Sequence, residues 1–355
     1  VELQTHIIIL TKNRPELLIR CISNTEVHNG YVITIIDDSS PAEYSQAKRL
    51  LLSKKYGFTI KHLSATKIFS KLKSVLPLNA LEWMNKIADR DISPLRNLSL
   101  LISYISDSKL TILIDDDVSE FDLDFTYKRV IKLIENEKNI IAGAYISGVD
   151  ERGIIERLDT AVTNLETCSS HVDLNNIKEF FRIPEPHQEI SPQQVSTVSG
   201  GYLAFSISSS EAYIAFLPGY NEDWLWCIAN MKLKGAKVFR IPQVVLHDPA
   251  SIRNPTENDI WFELKGDLIF DIADKSDSFI LKVFKGEDIP YQYLRPFVEY
   301  AIQDYEISEL LKKSNVCTNT EILYNAGLKS LKEIYSKNFM DHDWMADVAV
   351  WTKKT

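Results

Sequence analysis

Short apolar runs bounded by turn residues alternate with stretches whose apolar positions recur at helical spacing, and this continues to about residue 250. The run His6 to Leu10 lacks polar alternation and predicts a buried parallel strand, followed by the loop TKNRP. Pro15 opens a helix whose apolar stripe is Leu17, Leu18, Cys21 and Ile22. A second strand, Val32 to Ile36, ends in Asp37 and Asp38. Pro41 starts a helix toward Lys55, with Gly57 as its stop, and a third strand covers about Phe58 to His62. Ser64 to Ser93 reads as an irregular insertion carrying helices.

Arg96 to Ile105 is helical in pattern, and Leu110 to Ile114 is an apolar strand running into Asp115, Asp116 and Asp117. A helix near Phe125 to Glu135 and a strand near Ile140 to Ile146 follow. The polar, breaker-rich stretch from Gly148 to Ser196 predicts a long loop, and Gly200 and Gly201 lead into a strand from Tyr202 to Ile207. Ser210 begins a short helix, and Pro218 and Gly219 break the chain. A helix then starts after Asn221 and ends at Gly235, its apolar face formed by Trp224, Ile228 and Met231 and broadened by Leu225 and Ala229. Lys237 to Ile241 and Val244 to Leu246 supply the last strand segments.

Short strands with intervening helices predict an α/β fold: a doubly wound, mostly parallel sheet covered on both faces. The organisation expected is a catalytic domain over 1–250 and a largely helical C-terminal appendage over 251–355. Amphipathic segments around Ile260 to Ile272, Tyr293 to Leu311 and Thr320 to Tyr335 carry the second assignment.

Composition narrows the class. A net charge of -9 argues against a general nucleic-acid binder, which needs a concentrated basic face. The four cysteines, Cys21, Cys168, Cys227 and Cys317, have no zinc spacing and read as free thiols of a reducing compartment. No run approaches the roughly 20 apolar residues of a membrane span. With no signal-peptide pattern at the N-terminus, the location expected is cytoplasmic, with peripheral membrane attachment as the alternative.

Ligands of such sheets bind beyond the carboxyl ends of the strands, which groups Asp37, Asp38 and the triple-Asp segment in one crevice. Three consecutive carboxylates repel one another unless water or a cation neutralises them. A hard divalent cation, Mg²⁺ or Mn²⁺, fits oxygen ligands and bridges them to substrate phosphates; a solvated acidic turn is the alternative. In Asn221-Glu222-Asp223, Asn221 is suited to cap a helix that bears both acids in its first turn. Residue physics alone favours structural capping there over catalysis.

The elements IIILTKNRPELLIRCI, ITIIDDSS, Arg96-Asn97, TILIDDDV, SGGYLAFS and YNEDWLWCIANMKLKGAKVFRIP occur in an order that resembles the GT-A glycosyltransferases, especially their family 2-like group within the nucleotide-diphospho-sugar transferases. The resemblance covers roughly residues 5 to 250 and divides them into a donor half, about 1–118, and an acceptor half, about 119–250. It implies a nucleoside-diphosphate-sugar donor, UDP by family frequency, and a divalent cation, Mn²⁺ or Mg²⁺. Thr11, Asn13, Arg14, Asp37 or Asp38, and Arg96 would hold the donor, with Asn97 beside Arg96.

Asp115 to Asp117 match the DXD-like element: Asp117 as metal ligand, Asp115 facing the ribose or the metal, and Asp116 turned elsewhere within the nucleotide site. His247 would face the diphosphate or metal, and Gly200 and Gly201 would let backbone approach the donor sugar. The resemblance makes Asp223 the general base, with Glu222 in support. The acceptor stays open between a small molecule, a glycan and a peptide. The chain lacks the QxxRW arrangement of processive members, which disfavours a polysaccharide synthase. Single displacement with inversion is the mechanism expected. A retaining enzyme, a sugar nucleotidyltransferase and a non-catalytic nucleotide-sugar-binding module are the alternatives.

Overall fold

The computed structural model describes residues 5–23, 31–73, 91–106, 108–137, 139–148, 191–207, 213–217, 219, 221–247 and the single positions 266, 270, 273, 274, 276 and 277. The expected helix at Ser210, the break at Pro218, most of the loop from Gly148 to Ser196 and the segments from Tyr293 onward lie outside the described residues.

The elements in order are β1 (Thr5–Thr11), α1 (Pro15–Ser23), β2 (Tyr31–Asp37), α2 (Pro41–Ser53), β3 (Thr59–Ser64) and α3 (Ala65–Leu72). After them come α4 (Ser93–Ile105), β4 (Leu110–Asp115), β5 (Val118–Ser119), α5 (Leu123–Ile134) and β6 (Ile140–Gly148). The described chain closes with β7 (Gln193–Gln194), β8 (Tyr202–Ser206), α6 (Glu222–Lys234) and β9 (Lys237–His247).

The described strands form one nine-stranded sheet ordered β3-β2-β1-β4-β8-β6-β9-β5, with β7 also on β9. β1 to β4 are mutually parallel, and β8 runs antiparallel between β4 and β6. β9 returns parallel to β6, so β1–β4, β6 and β9 all point one way. The expected doubly wound, mostly parallel sheet is therefore present. The chain winds from β1 through β2 to β3, then crosses back to β4 on the other side of β1. Such a reversal opens a crevice at the carboxyl ends of β1 and β4.

Each face of the sheet buries its own core, because alternate strand residues point to opposite sides. Ile8, Leu10, Leu113 and Phe205 pack with Leu98, Leu101, Trp226 and Ile228 from α4 and α6. Ile7, Ile9, Ile33 and Ile112 pack with Leu18, Ala47 and Val130 from α1, α2 and α5. α4 is buried along most of its length despite its serines. Ser99 Oγ donates to the Leu95 carbonyl at 2.8 Å and Ser103 Oγ to Ser99 at 2.7 Å, so each hydroxyl is satisfied inside its own helix.

Several sequence expectations shift. α2 stops at Ser53, four residues before Gly57, with Lys54 in extended conformation as its C-cap. The insertion after Ser64 begins as a helix, since the Ser64 side chain accepts from Lys67 N at the start of α3. The last two strand segments are one strand. Gly143 faces Arg240 and Tyr145 faces Val244, so Ile241 to Gln243 stand against Ala144 alone as a bulge, where Pro242 needs no ladder hydrogen bond. In α6 the buried residues include Leu225, Trp226, Ile228 and Ala229, whereas Trp224 is exposed and Met231 only partly buried. Trp226 turns inward because Phe216 stacks on its ring at 4.5 Å and its Nε1 donates to the Ile214 carbonyl at 2.6 Å.

Candidate active site

The crevice is built first by its backbone. Asp37 ends β2 opposite Thr11, and Asp115 ends β4 opposite Leu10, so both acidic groups flank the end of β1. β5 then turns back and pairs Val118 with His247. This short antiparallel contact brings a histidine from the end of β9 beside Asp117, with Nε2 3.2 Å from Oδ1. Among the described non-glycine residues, three have left-handed backbone: Asn13 at φ 55°, Glu120 at φ 55° and Asn221 at φ 58°. All three lie in connections next to the crevice, where strained backbone tends to collect.

Asn13 fixes the first loop. Its N–H donates to Ser39 Oγ at 2.6 Å, and its Oδ1 accepts from Ser40 N at 2.8 Å. Arg14 is thereby aimed across the carboxylates: Nη1 donates to Asp117 Oδ2 at 2.5 Å, and Nη2 lies 2.5 Å from Asp116 Oδ1. Thr11 Oγ1 donates to the other Asp116 oxygen at 2.5 Å.

The three aspartates are electrostatically distinct. Burial raises Asp115 above the usual carboxylate range, against the opposing pull of Arg96. Burial carries Asp116 to about 7, with Arg14 opposing. Burial would raise Asp117 too, but the His247 hydrogen bond and Arg14 outweigh it and hold this carboxyl below the ordinary range.

Asp37 and Asp38 differ in availability. Asp37 is buried, with Oδ1 accepting from Ser39 N and Oδ2 paired with His62 Nε2, both at 2.8 Å. Tyr44 stacks on His62 at 4.3 Å. Asp38 is only partly buried and sits at the rim, where its N–H donates to the Thr11 carbonyl at 3.0 Å. Neither His62 nor Tyr44 carries a sequence signal for this site: each reaches Asp37 only through β2–β3 pairing and the docking of α2.

On the opposite face Arg96 lies buried between Asp115 and Glu222. Its Nε is 2.8 Å from Glu222 Oε1, and its Nη2 is 3.5 Å from Asp115 Oδ2. Asn97 exchanges two hydrogen bonds with the backbone of Phe216, at 3.0 and 2.6 Å, and so holds that segment against α4. Gly200 fits closely: a Cβ there would fall 1.9 Å from Arg96 Nη1. Its N–H donates to Asp223 Oδ2 at 2.5 Å. The Gly201 carbonyl accepts from Asp115 N at 3.0 Å.

The two acids of α6 therefore part company. Glu222 is buried on Arg96, whereas Asp223 is partly exposed with Oδ1 on Trp224 N at 2.9 Å. Asn221 does occupy the N-cap position, but in left-handed conformation and without a side-chain cap bond, correcting the expected capping role.

Burial pushes Glu222 up to about 8, with Arg96 opposing. The folded state therefore retains a proton that the unfolded chain releases near the ordinary value of 4.5. That contribution is fully present below the unfolded value and is lost as pH rises toward 8. Urea unfolding across pH 5 to 9 should show wild-type stability falling with pH more steeply than that of Glu222→Gln. Equal slopes would mean that Glu222 ionises as it does in water.

A doubly wound α/β sheet with an acidic crevice at its switch point, faced by a carboxylate on a helix, defines the class of this molecule. The structure is similar to solved glycosyltransferases. S. aureus TarS, residues 1–349, is 12% identical over 94% of this chain and 90% of that chain, with a TM-score of 0.41. The mannosyltransferase PcManGT from Pyrobaculum calidifontis, solved with GDP-Man and Mn²⁺, is 11% identical over 99% of this chain and 88% of that one, with a TM-score of 0.46. Mouse xyloside xylosyltransferase 1 is 13% identical over 57% of this chain and 67% of that one, with a TM-score of 0.32. No protein-family model matches the sequence. No curated protein sequence matches it.

Cys21 and Cys227 are buried and in no disulfide among the described residues, and Cys168 and Cys317 lie outside the described residues. Among the described residues, no helix is long and apolar enough to cross a membrane. Nor do three or more His, Cys, Asp or Glu side chains among them form a ready-made metal cage.

Proposed function

We propose that this chain is a glycosyltransferase that moves a sugar from a nucleoside-diphosphate donor to an acceptor hydroxyl, with inversion and with help from a divalent cation. One observation carries the reading. Asp115 Oδ1 is a buried carboxylate oxygen without a hydrogen-bond partner, and Asp117 Oδ1 beside it faces the His247 imidazole at 3.2 Å, both at the switch-point crevice and across Gly200 from the partly exposed Asp223.

These oxygens, together with the His247 imidazole, suit Mn²⁺ or Mg²⁺, which complete their coordination with water and substrate phosphates. Asp117 and His247 would hold the cation, with Asp115 facing it or the ribose; when bound it neutralises charge on the leaving diphosphate. Thr11, Asn13, Arg14, Asp38 and Arg96 orient the donor, and Asp37 braces the loop through Ser39. Asp223 takes the proton of the acceptor hydroxyl as its oxygen attacks the anomeric carbon. The bond from that carbon to the phosphate oxygen breaks, and the nucleoside diphosphate leaves.

Residues 1–118 serve as the donor half, 119–250 as the acceptor half and 251–355 as a helical region. Support for an acceptor-side role of the last region comes from Phe270, which meets Trp224 edge-on at 5.0 Å, and Asp277, whose Oδ1 is 2.6 Å from Lys232 Nζ. Both contacts fall on the helix bearing Asp223.

Calorimetry with UDP, GDP, dTDP and CDP, with and without Mn²⁺, tests the reading. At least one nucleotide should bind in a Mn²⁺-dependent way. Asp117→Ala should lose about tenfold or more of that affinity, at least as much as the loss of an outer-shell partner of a metal ligand costs. Equal, metal-independent binding by both proteins would remove the metal from the mechanism.

A further inference from the structure

Arg14 is the one cation that touches both Asp116 and Asp117 among the described ion pairs, and its surroundings are lopsided. The two carboxylate side chains are 0% and 8% exposed, whereas the Arg14 side chain is 40% exposed. The guanidinium can swing into water, and the carboxylates cannot. Each acid also has a second partner that remains if Arg14 departs: Thr11 Oγ1 on Asp116 and His247 Nε2 on Asp117. The contact to Asp116 is close, but it lacks the angle of a hydrogen bond, so only the Asp117 arm is directional. Meanwhile Asn13 pins the loop backbone to Ser39 and Ser40, so exchange requires only side-chain rotation.

A guanidinium and a divalent cation drawn to the same carboxylate repel each other. A diphosphate offers that guanidinium the planar, two-pronged acceptor it fits best. Resting on the glycosyltransferase reading, we propose that Arg14 is an exchangeable counter-ion. It pairs with Asp116 and Asp117, transfers to the diphosphate of an incoming nucleotide, and frees Asp117 for the divalent cation. Cation and nucleotide then bind with positive cooperativity, and the coupling is the same from either side.

The test is Mn²⁺ titration by calorimetry and by the EPR signal of free Mn²⁺, on wild type, Arg14→Ala and Arg14→Lys, alone and with saturating UDP or inorganic pyrophosphate. Chelation in solution is common to all three proteins and cancels in the comparison. Wild type should bind Mn²⁺ at least about tenfold more tightly when the diphosphate is present. Arg14→Ala should bind Mn²⁺ alone several-fold more tightly than wild type and lose a measurable part of the coupling, the remainder being the direct bond of phosphate oxygens to the cation. Arg14→Lys keeps the charge without the fork and should fall between them. It carries the test if circular dichroism shows Arg14→Ala misfolded. Equal Mn²⁺ affinity and equal coupling in wild type and the folded variants would overturn the counter-ion role and leave the glycosyltransferase reading intact. A wild type that binds neither Mn²⁺ nor any nucleoside diphosphate would overturn both.

Discussion

Asp223→Asn is expected to lose about 10²- to 10⁴-fold in the rate of sugar transfer, the usual contribution of a positioned general base, while keeping its fold and nucleotide affinity. In wild type the carboxylate accepts from Gly200 N at 2.5 Å and Trp224 N at 2.9 Å. Asparagine keeps the size and one of these acceptors, but its amide cannot take the proton of an attacking hydroxyl. Glu222→Gln should behave differently, because Glu222 is buried against Arg96 at 2.8 Å and its effect passes through that side chain. It should alter donor binding and the pH dependence of stability more than the chemical step. Single-turnover rates keep slow product release from hiding a chemical defect. NMR of the product in the same experiment reads the anomeric configuration. Near-wild-type transfer by Asp223→Asn would reject the base assignment, and retained configuration would reject single displacement. Failure of Glu222→Gln alone would move the base by one residue.

The second large effect is structural and falls on a residue with no side chain. Gly200→Ala places a Cβ 1.9 Å from Arg96 Nη1 and 2.4 Å from Cζ. Arg96 is 3% exposed and is held between Glu222 and Asp115, so it cannot retreat without giving up a buried polar contact. Overpacking and a buried polar group left unpaired each cost about 1–3 kcal/mol, so a loss of about 2 kcal/mol or more is expected here. Gly201→Ala is the matched control. Its nearest new contact is the Ile146 Cδ1 tip at 3.1 Å, which can shift, so it should cost about 1 kcal/mol or less. Urea unfolding of the two variants checks the contrast. A Gly200→Ala protein as stable as Gly201→Ala would show that Arg96 is not confined as described.

Much of the scaffold is legible in the chain itself, because burial leaves a local record. Runs such as Ile7 to Leu10, and Leu110 to Ile114 with Thr111 as its one polar residue, correspond to strands buried on both faces. Pro15, Pro41 and Gly235 mark helix ends through fixed or left-handed backbone, which depends on the residue alone. The clustering of acids at two strand ends locates the crevice once a parallel sheet is inferred. The Gly57 expectation failed because a glycine permits a helix stop without requiring one.

Tertiary structure decided the partners. His247 meets Asp117 because two-residue β5 pairs with the end of β9, some 130 positions away, and a pairing that short has no periodicity to read. Glu222 and Asp223 are neighbours of the same charge, yet the helix turns one onto buried Arg96 and the other toward Gly200. Trp224 and Trp226 are likewise the same residue type two positions apart, and the ring of Phe216 and the carbonyl of Ile214 meet the second of them, which is the buried one. The direction of β8 follows from its place between β4 and β6, not from its own residues. Local sequence thus determined which segments are buried and where the chain turns. The register of the sheet and the docking of helices on it determined which charges meet, because electrostatic contacts depend on distances in space that no local pattern encodes.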